Sequence, residues 1–283
     1  MAMDEQGLGK RLQEARQAAG LTQQQLCQAA NLSFSTLTKI ERGAIKAPSI
    51  FTIQAIAGAL NRGLDDLLGS PAPAAARQLQ KTKSGVSFIY FDINGSLVHF
   101  FQQAFTRIAQ ETGVTADLVE SSFWHFNDEA CRGTMSLDDF NRAMAERLGI
   151  NNFDWKVYYL DAVEPIQPLQ DLLVWASERY RVGILTNIMP GFISAMLSAG
   201  KLPNIHYDAI VDSSELGTIK PETRIYEVAT ERANVPPQEI LLIDDTRTNL
   251  VAAEWLGWRV LLFDDYQLDD AITKLRAALE PET

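Results

Sequence analysis

The sequence contains little cysteine and histidine and has no long apolar run. Its 283 residues include 2 Cys and 3 His. Cys27 and Cys131 lie far from any second Cys or His at zinc-binding spacing, which excludes a disulfide framework and a structural zinc site. The apolar runs are much shorter than the roughly 20 residues of a membrane helix, and the first residues lack a signal-peptide stretch. We therefore expect a cytoplasmic protein without a membrane segment.

Basic residues are outnumbered by acidic residues, and this imbalance differs along the chain. The net charge is -11, which by itself argues against nucleic acid because phosphate binding leaves a basic footprint. Residues 1–70, however, carry seven basic and six acidic residues, and residues 71–85 carry three basic and no acidic ones. Residues 86–283 carry fifteen basic and thirty acidic residues. A mildly basic N-terminal part therefore precedes an acidic body.

The length and composition indicate two domains. A chain of 283 residues exceeds the roughly 100 to 200 residues of a typical domain. Residues 70–85, rich in Ala, Pro and basic residues, show no apolar periodicity and are expected to form a linker. The sequence thus predicts an N-terminal domain over 1–69 and a second domain over 86–283.

The N-terminal domain has the pattern of five short helices. Leu8 and Leu12 recur at helical spacing, and Thr22 with Gln25 has the form of a capping box that opens a second helix. Ser33 can cap a third helix, and Pro48-Ser49 can start a fourth. We expect an all-α domain.

The third helix has a distinct outer face. Leu37 and Ile40 can lock it against the preceding helix, which presents Leu26 and Ala30. The side chains that then face outward are those of Phe34, Ser35, Thr38 and Lys39.

The segment LTQQQLCQAANLSFSTLTKIERG resembles the helix-turn-helix of the Cro/C1 (XRE-type) repressors, and the resemblance covers residues 7–69. It implies double-stranded operator DNA as partner, a homodimer and paired half-sites. Residues in the positions that read base edges are Phe34, Ser35 and Lys39, while Gln23 and Arg42 correspond to phosphate contacts. The alternative is a small helical bundle that binds protein, with Phe34 on the contact surface.

The second domain has the pattern of a parallel α/β sheet. Five short apolar runs, separated by helical stretches, lack the alternation of half-exposed strands and are typical of strands buried on both faces. They are SFIYFDI, RVGILTNI, DAIVDSS, EILLIDD and RVLLFDD. The interval between the first two runs is helical over about 99–175 and predicts an inserted cap.

Chemically capable residues follow the predicted strands. Open α/β sheets bind ligands at the carboxyl ends of their strands. The residues found there are Asp92, Thr186, Lys220, Asp244 and Asp245. Singly, each is as readily a turn or helix cap, and the alternative for the whole set is a structural sheet with caps and buried ion pairs.

Together and in this order, these residues resemble the haloacid dehalogenase (HAD) superfamily, in its phosphatase-like branch with a helical cap, over residues 86–265. The resemblance implies a Rossmann-like α/β domain and Mg²⁺. Asp92 corresponds to the nucleophile, and the metal ligands would be Asp92, the Asn94 carbonyl and Asp245.

The same resemblance assigns supporting roles. Thr186 and the backbone around Asn187 would hold the phosphoryl oxygens, and Lys220 would offset their charge. Asp244 and Asn249 would orient the metal or its waters.

One position departs from that family. Its phosphatases usually carry a second Asp two residues after the nucleophile, which moves protons, whereas this chain has Asn94. General acid/base catalysis contributes about 10² to 10⁴ in rate, so the change predicts slow turnover rather than none. The dehalogenases carry an aromatic residue there and use no metal, a form that FDINGSL does not match.

The cap is expected to choose the ligand. Its segment FWHFNDEACRGTMS supplies Trp124, His125, Phe126, Asn127 and Arg132, which can stack on and hydrogen-bond a small polar organic group.

We interpret the chain as a DNA-binding regulator whose second domain binds a phosphorylated small molecule with Mg²⁺, with weak or no phosphatase activity. Two alternatives stay open: an active phosphatase that carries a DNA-binding module, and a HAD-like scaffold for dimerisation or protein contact.

Overall fold

The computed structural model describes residues 5–30, 32–45, 48, 50–60 and 79–281. Contacts divide the chain into two compact units, Met1–Ala76 and Arg77–Thr283. Within the described ranges, no helix is both long enough and apolar enough to cross a membrane.

The first unit is helical. Its helices are α1 Glu5–Ala18, α2 Gln23–Ala29, α3 Phe34–Glu41 and α4 Ile50–Leu60. The expected fifth helix, before residue 69, falls outside the described residues. The predicted capping box is confirmed, because the Thr22 hydroxyl accepts from the Gln25 N–H and the Gln25 side chain accepts from the Thr22 N–H. The core that these helices share contains Leu12, Leu26, Leu37, Ile40, Ile53 and Ile56.

The second unit is built on a five-stranded parallel sheet, as the sequence predicts. Its strand order is β3-β2-β1-β4-β5. The strands are β1 Phe88–Phe91, β2 Arg181–Thr186, β3 Ala209–Asp212, β4 Ile240–Asp244 and β5 Arg259–Leu262. The central strand, β1, is buried on both faces, which explains its continuous apolar run. Ile89 and Phe91 pack into the core on one face of the sheet, and Phe88 and Tyr90 pack into the core on the other.

A helical insertion separates β1 from β2. It consists of α5 Gln102–Thr112, α6 Ala116–Cys131, α7 Leu137–Leu148 and α8 Trp155–Ala162. The prediction extended this cap to about residue 175, which is too far. The next helix, α9 Gln167–Ser177, packs on β2 and belongs to the sheet layers, because Leu169, Leu172 and Leu173 complete the core beneath the sheet.

The remaining helices connect and cover the strands. They are α10 Phe192–Ser198, α11 Ser213–Leu216, α12 Thr223–Ala233, α13 Arg247–Trp255 and α14 Leu268–Ala278.

The end of the expected linker is ordered against the second unit. The backbone N–H of Gln80 donates to the Arg179 carbonyl, and that of Lys83 donates to the Glu280 carbonyl. Thr82 is fully buried, and its hydroxyl accepts from the Val86 N–H. Placing the linker as far as residue 85 was therefore wrong at that end, because these bonds join 80–85 to the α/β unit.

Candidate functional site

Helix α3 presents an exposed outer face. Its buried Leu37 and Ile40 hold it in the core, while Phe34 is 52% exposed and Ser35 and Lys39 are also exposed. Thr38 is only half-buried, and its hydroxyl lies out of solvent without a hydrogen-bond partner among the described residues. Phe34, Ser35 and Lys39 thus form the outward surface of this helix, with Thr38 at its inner margin.

Gln23 is engaged within the protein. Its amide donates to Glu41 at 2.7 Å, and Glu41 also accepts two bonds from the Arg16 guanidinium, at 2.7 and 3.1 Å. Arg16 donates further to the Leu21 carbonyl. A phosphate contact by the Gln23 side chain would have to compete with Glu41, whereas Arg42 is exposed just after α3.

In the second unit, three adjacent strands bring polar residues to one edge of the sheet. Strand β1 pairs with both β2 and β4, so Asp92, Thr186 and Asp244 leave the sheet side by side. The Asp92 N–H donates to the Ile243 carbonyl, which extends the ladder by one residue and fixes the backbone of Asp92. This is the edge at which open α/β sheets bind ligands.

Lys220 joins two of these carboxylates. Its ammonium lies 2.8 Å from Asp92 Oδ1 and 2.6 Å from Asp244 Oδ2, and all three side chains are buried. Asn249 donates to both oxygens of Asp244, at 3.1 and 3.2 Å. Burial lowers the pKa of Lys220, but attraction to Asp244 and Asp92 more than offsets this and raises it above its usual value. Lys220 is therefore a fixed positive charge beside Asp92.

Asn187 holds the loop that carries Lys220. Its side-chain oxygen accepts from the Lys220 N–H at 2.7 Å, and its amide donates to the Lys220 carbonyl at 2.9 Å. The side chain thus positions Lys220, a role additional to the one expected for the Asn187 backbone.

Three carboxylates crowd the site around this single cation. Oxygens of Asp92, Asp244 and Asp245 lie within 4.8 Å of one another. The pKa of Asp92 is raised to about 7, mainly by burial; Lys220 opposes the rise, and Asp244 and Asp245 add to it. The pKa of Asp245 is also raised, by burial and by Asp244. Such an excess of oxygen donors and negative charge suits a hard divalent cation.

Gly95 makes room for this cluster. Its φ is +80°, and a Cβ there would lie 2.1 Å from Asp245 Oδ2. A glycine is required because any side chain would displace the carboxylate and strain the backbone.

Thr186 ends β2 beside the carboxylates. It is fully buried, and its hydroxyl has no hydrogen-bond partner within the described part of the chain. A buried unpaired hydroxyl is unfavourable, which makes Thr186 a candidate contact for a bound anion.

Asn94 is held by the cap. The Tyr159 hydroxyl, on α8, donates to Asn94 Oδ1 at 2.7 Å. Burial raises the pKa of Tyr159 well above its usual value. The position two residues after Asp92 therefore carries an amide next to a phenol that holds its proton, and neither is a ready proton-transfer group at neutral pH.

The site opens on a cavity of about 340 Å³ with two different sides. We call its polar side the floor, formed by Asp92, Asn94, Asn187, Lys220, Asp245 and Asn249. We call its aromatic side the roof, formed by Phe100, Phe101, Phe123, Trp124, Trp155, Tyr159 and Phe192.

Helix α6 gives one face to the cavity. Phe123, Trp124, Asn127, Asp128 and Cys131 line it, at the spacing of a helical stripe. Of the cap residues expected to contact a ligand, only Trp124 and Asn127 belong to this lining.

His125, on α6, and Arg132, which caps the end of that helix, do not belong to the stripe. His125 packs edge-on against Phe126. Arg132 makes two hydrogen bonds with Glu222, and this ion pair lowers the pKa of Glu222 to about 2, with help from the Thr218 hydroxyl. Arg132 therefore joins the cap to the loop after Lys220.

Comparison with known proteins identifies both units. The family of haloacid dehalogenase-like hydrolases matches residues 89–263, and the chain belongs to that family. A helix-turn-helix family matches residues 12–67, so the first unit is a helix-turn-helix domain of the XRE type. Such domains bind DNA, and the chain thus joins a DNA-binding type of domain to a hydrolase-like one.

Individual relatives are distant. The chain is 26% identical over 196 residues to (S)-2-haloacid dehalogenase 4A of Burkholderia cepacia, covering 60% of this chain and 80% of that protein. It is 24% identical over 193 residues to the D-ribitol-5-phosphate phosphatase of Bacteroides thetaiotaomicron, covering 60% and 88%.

A solved structure shares the fold. It is a HAD family enzyme of Bacteroides thetaiotaomicron, an aspartate-to-alanine variant in complex with magnesium and inorganic phosphate. The TM-score is 0.56 at 18% identity, over 65% of this chain and 98% of the other.

Proposed function

We propose that this protein is a cytoplasmic transcriptional regulator that binds operator DNA as a homodimer. The helix-turn-helix match supports this proposal, together with the exposed Phe34, Ser35 and Lys39 on α3. Phe34 can meet only an apolar group such as a thymine methyl, and Lys39 favours guanine O6 and N7. Arg42, exposed beside them, suits a phosphate.

The second unit, in this proposal, binds a phosphorylated small molecule and turns it over slowly or not at all. The observation that carries this is the pairing of Asn94 with Tyr159, which leaves a complete charged floor without a proton-transfer group beside it. The relatives support a phosphorylated ligand, since one is named for its action on D-ribitol-5-phosphate and a similar structure holds inorganic phosphate.

The polar residues of the site have separate tasks. Asp92, Asp245 and the Asn94 carbonyl would hold Mg²⁺, which when bound supplies positive charge to the phosphoryl group. Lys220 offsets charge shared by Asp92 and the phosphate, and the unpaired Thr186 hydroxyl donates to a phosphoryl oxygen. Asp244 and Asn249 fix Lys220 and the carboxylate cluster.

In a turnover, Asp92 would attack phosphorus, forming an aspartyl-phosphate as the bond to the ester oxygen breaks. The departing alkoxide then needs a proton. Asn94 cannot give one, so the cycle is slow at this step and the ligand stays bound.

Selection from random DNA with the full chain tests the regulator. We expect enrichment of a two-half-site sequence, and Lys39→Ala should weaken its binding by about 1 to 3 kcal/mol relative to nonspecific DNA. Lys10→Ala on α1 is the matched control, because Lys10 is also exposed and the change removes the same charge. Binding without sequence preference at physiological salt would contradict the proposal.

An active phosphatase is the second candidate, favoured by the intact arrangement of Asp92, Lys220 and Asp245. It predicts Mg²⁺-dependent phosphate release that Asp92→Asn abolishes. Release that persists in this variant would point to a contaminant.

A further inference from the structure

The roof of the cavity is almost entirely aromatic. Phe101 packs against Phe123, Trp155 and Tyr159 at centroid distances of 5.3 to 5.4 Å. At the margin, Phe100 and Trp124 are stacked within 13° of parallel and are 36% and 46% exposed. Large exposed rings beside a cavity offer apolar contact area to a ligand.

The cavity has no free cation for a second anionic group. Lys220 is the one basic residue lining it within the described part of the chain, and Asp92 and Asp244 already occupy its ammonium. The cap instead contributes Asp128 to the lining. A ligand with a second phosphate or a carboxylate would therefore meet negative charge near the roof.

Several polar side-chain atoms on and beside the roof, those of Trp124, Tyr159 and Asn127, already have partners. The Trp124 indole donates to Glu120 at 3.3 Å, and the Tyr159 hydroxyl donates to Asn94. Asn127 accepts from the Cys131 thiol and donates to Asp128. Against these rings, the hydroxyls of a sugar or polyol would lose water and find acceptors only at Asp128 or at groups that are already paired, which weakens binding.

We propose that this site selects an aromatic monophosphate whose organic part is uncharged and lacks multiple hydroxyls. This inference rests on the proposed function, because it assumes that the floor binds the phosphate. The ring lies along the roof and contacts Trp124, while the phosphate reaches Lys220 and the carboxylates with Mg²⁺. The volume of about 340 Å³ is near the lower end of ligand pockets and suits one or two rings.

Calorimetric titration of the full-length protein with Mg²⁺ tests this selectivity. The probes are 1-naphthyl phosphate, ribose 5-phosphate and inorganic phosphate. We expect naphthyl phosphate to bind at least about tenfold more tightly than the other two, since ring burial adds apolar free energy. Trp124→Ala should remove most of this preference without changing the affinity for inorganic phosphate, and Trp124→Phe should restore part of it.

Trp255→Ala is the matched control, since Trp255 is 84% exposed and does not line the cavity. Equal affinity for naphthyl and ribose phosphates, or an effect of Trp124→Ala no larger than that of Trp255→Ala, overturns the inference. If inorganic phosphate still binds in that case, the proposed phosphate-binding function stands. If none of the three probes binds, both fail.

Discussion

Each unit contains a buried network of charges, and the two networks differ in balance. In the helical unit, one guanidinium faces one carboxylate, and Arg16 and Glu41 are paired at 2.7 Å. Gln23 donates a further hydrogen bond to Glu41, and the Leu21 carbonyl accepts one from Arg16. In the α/β unit, Lys220 faces Asp92 and Asp244, with Asp245 close by.

The difference separates a structural network from a functional one. The first has equal charges and its groups bond to one another, so it holds helices together. The second has excess negative charge and opens on a cavity, so a bound cation or ligand is needed to balance its charge. Buried charge alone does not mark a site, but unbalanced buried charge beside a cavity does.

The largest expected effect comes from supplying the missing acid. Asn94→Asp should raise the Mg²⁺-dependent hydrolysis of a phosphate ester by about 10² to 10⁴, because it restores a general acid next to the leaving group. Steady-state phosphate release measures this, with Asn94→Ala as control. No increase would show that the floor is altered elsewhere.

Breaking the balanced network should destabilise the helical unit. Arg16→Met leaves Glu41 buried without its cation and should cost about 3 to 5 kcal/mol. Hydrogen exchange of the backbone amides over residues 12–40 of the full chain measures this loss of stability. Lys10→Met is the control, because Lys10 is exposed and only 3.9 Å from Glu14, a pair expected to contribute well under about 1 kcal/mol. Equal effects would refute the structural role.

The same carboxylate-to-amide change should have opposite signs in the two networks. Glu41→Gln should destabilise the helical unit. Asp92→Asn should stabilise the α/β unit by about 1 to 3 kcal/mol in chelator-treated buffer near pH 8, because the substitution removes a buried negative charge that Asp244 and Asp245 repel. Denaturant unfolding measures both. A loss of stability in Asp92→Asn would mean that the bond to Lys220 outweighs the repulsion.

The smallest effect concerns Arg132 and Glu222. The pKa of Glu222 is lowered to about 2, so its contribution is present above its unfolded value near 4.5 and is lost as the pH falls toward 2. Because Glu222 is 40% exposed, screening limits the contribution to about 0.5 kcal/mol. The stability difference between wild type and Glu222→Gln should disappear over that pH range; a constant difference would exclude the ion pair as its cause.

The polar residues at the strand ends were largely predictable from the sequence, whereas most of the roof was not. Asp92, Thr186 and Asp244 follow apolar runs, and parallel pairing brings strand ends to one edge, so local pattern was enough. The roof depends on how separate helices pack. Trp124 was expected to contact a ligand, but the other rings of the roof were not assigned to the site. Tyr159, which reaches Asn94 from 65 positions away, carried no local signal.

Helical rotation explains the errors in the cap. Trp124, His125 and Arg132 are close in sequence, but only the first faces the cavity. The composition of this segment indicated that it contacts a ligand. Which of its side chains reach the cavity depends on the rotation of α6 about its axis, and tertiary packing sets that rotation.

We propose above that the HAD-like unit holds a phosphorylated ligand with little turnover. The most direct test of this proposal is to heat the full-length protein with Mg²⁺ and a panel of phosphate monoesters, measuring the unfolding temperature and free phosphate in the same samples. We expect at least one ester to raise the unfolding temperature and to stay intact. Rapid phosphate release that Asp92→Asn abolishes, or no stabilisation by any ester or by inorganic phosphate, would contradict it.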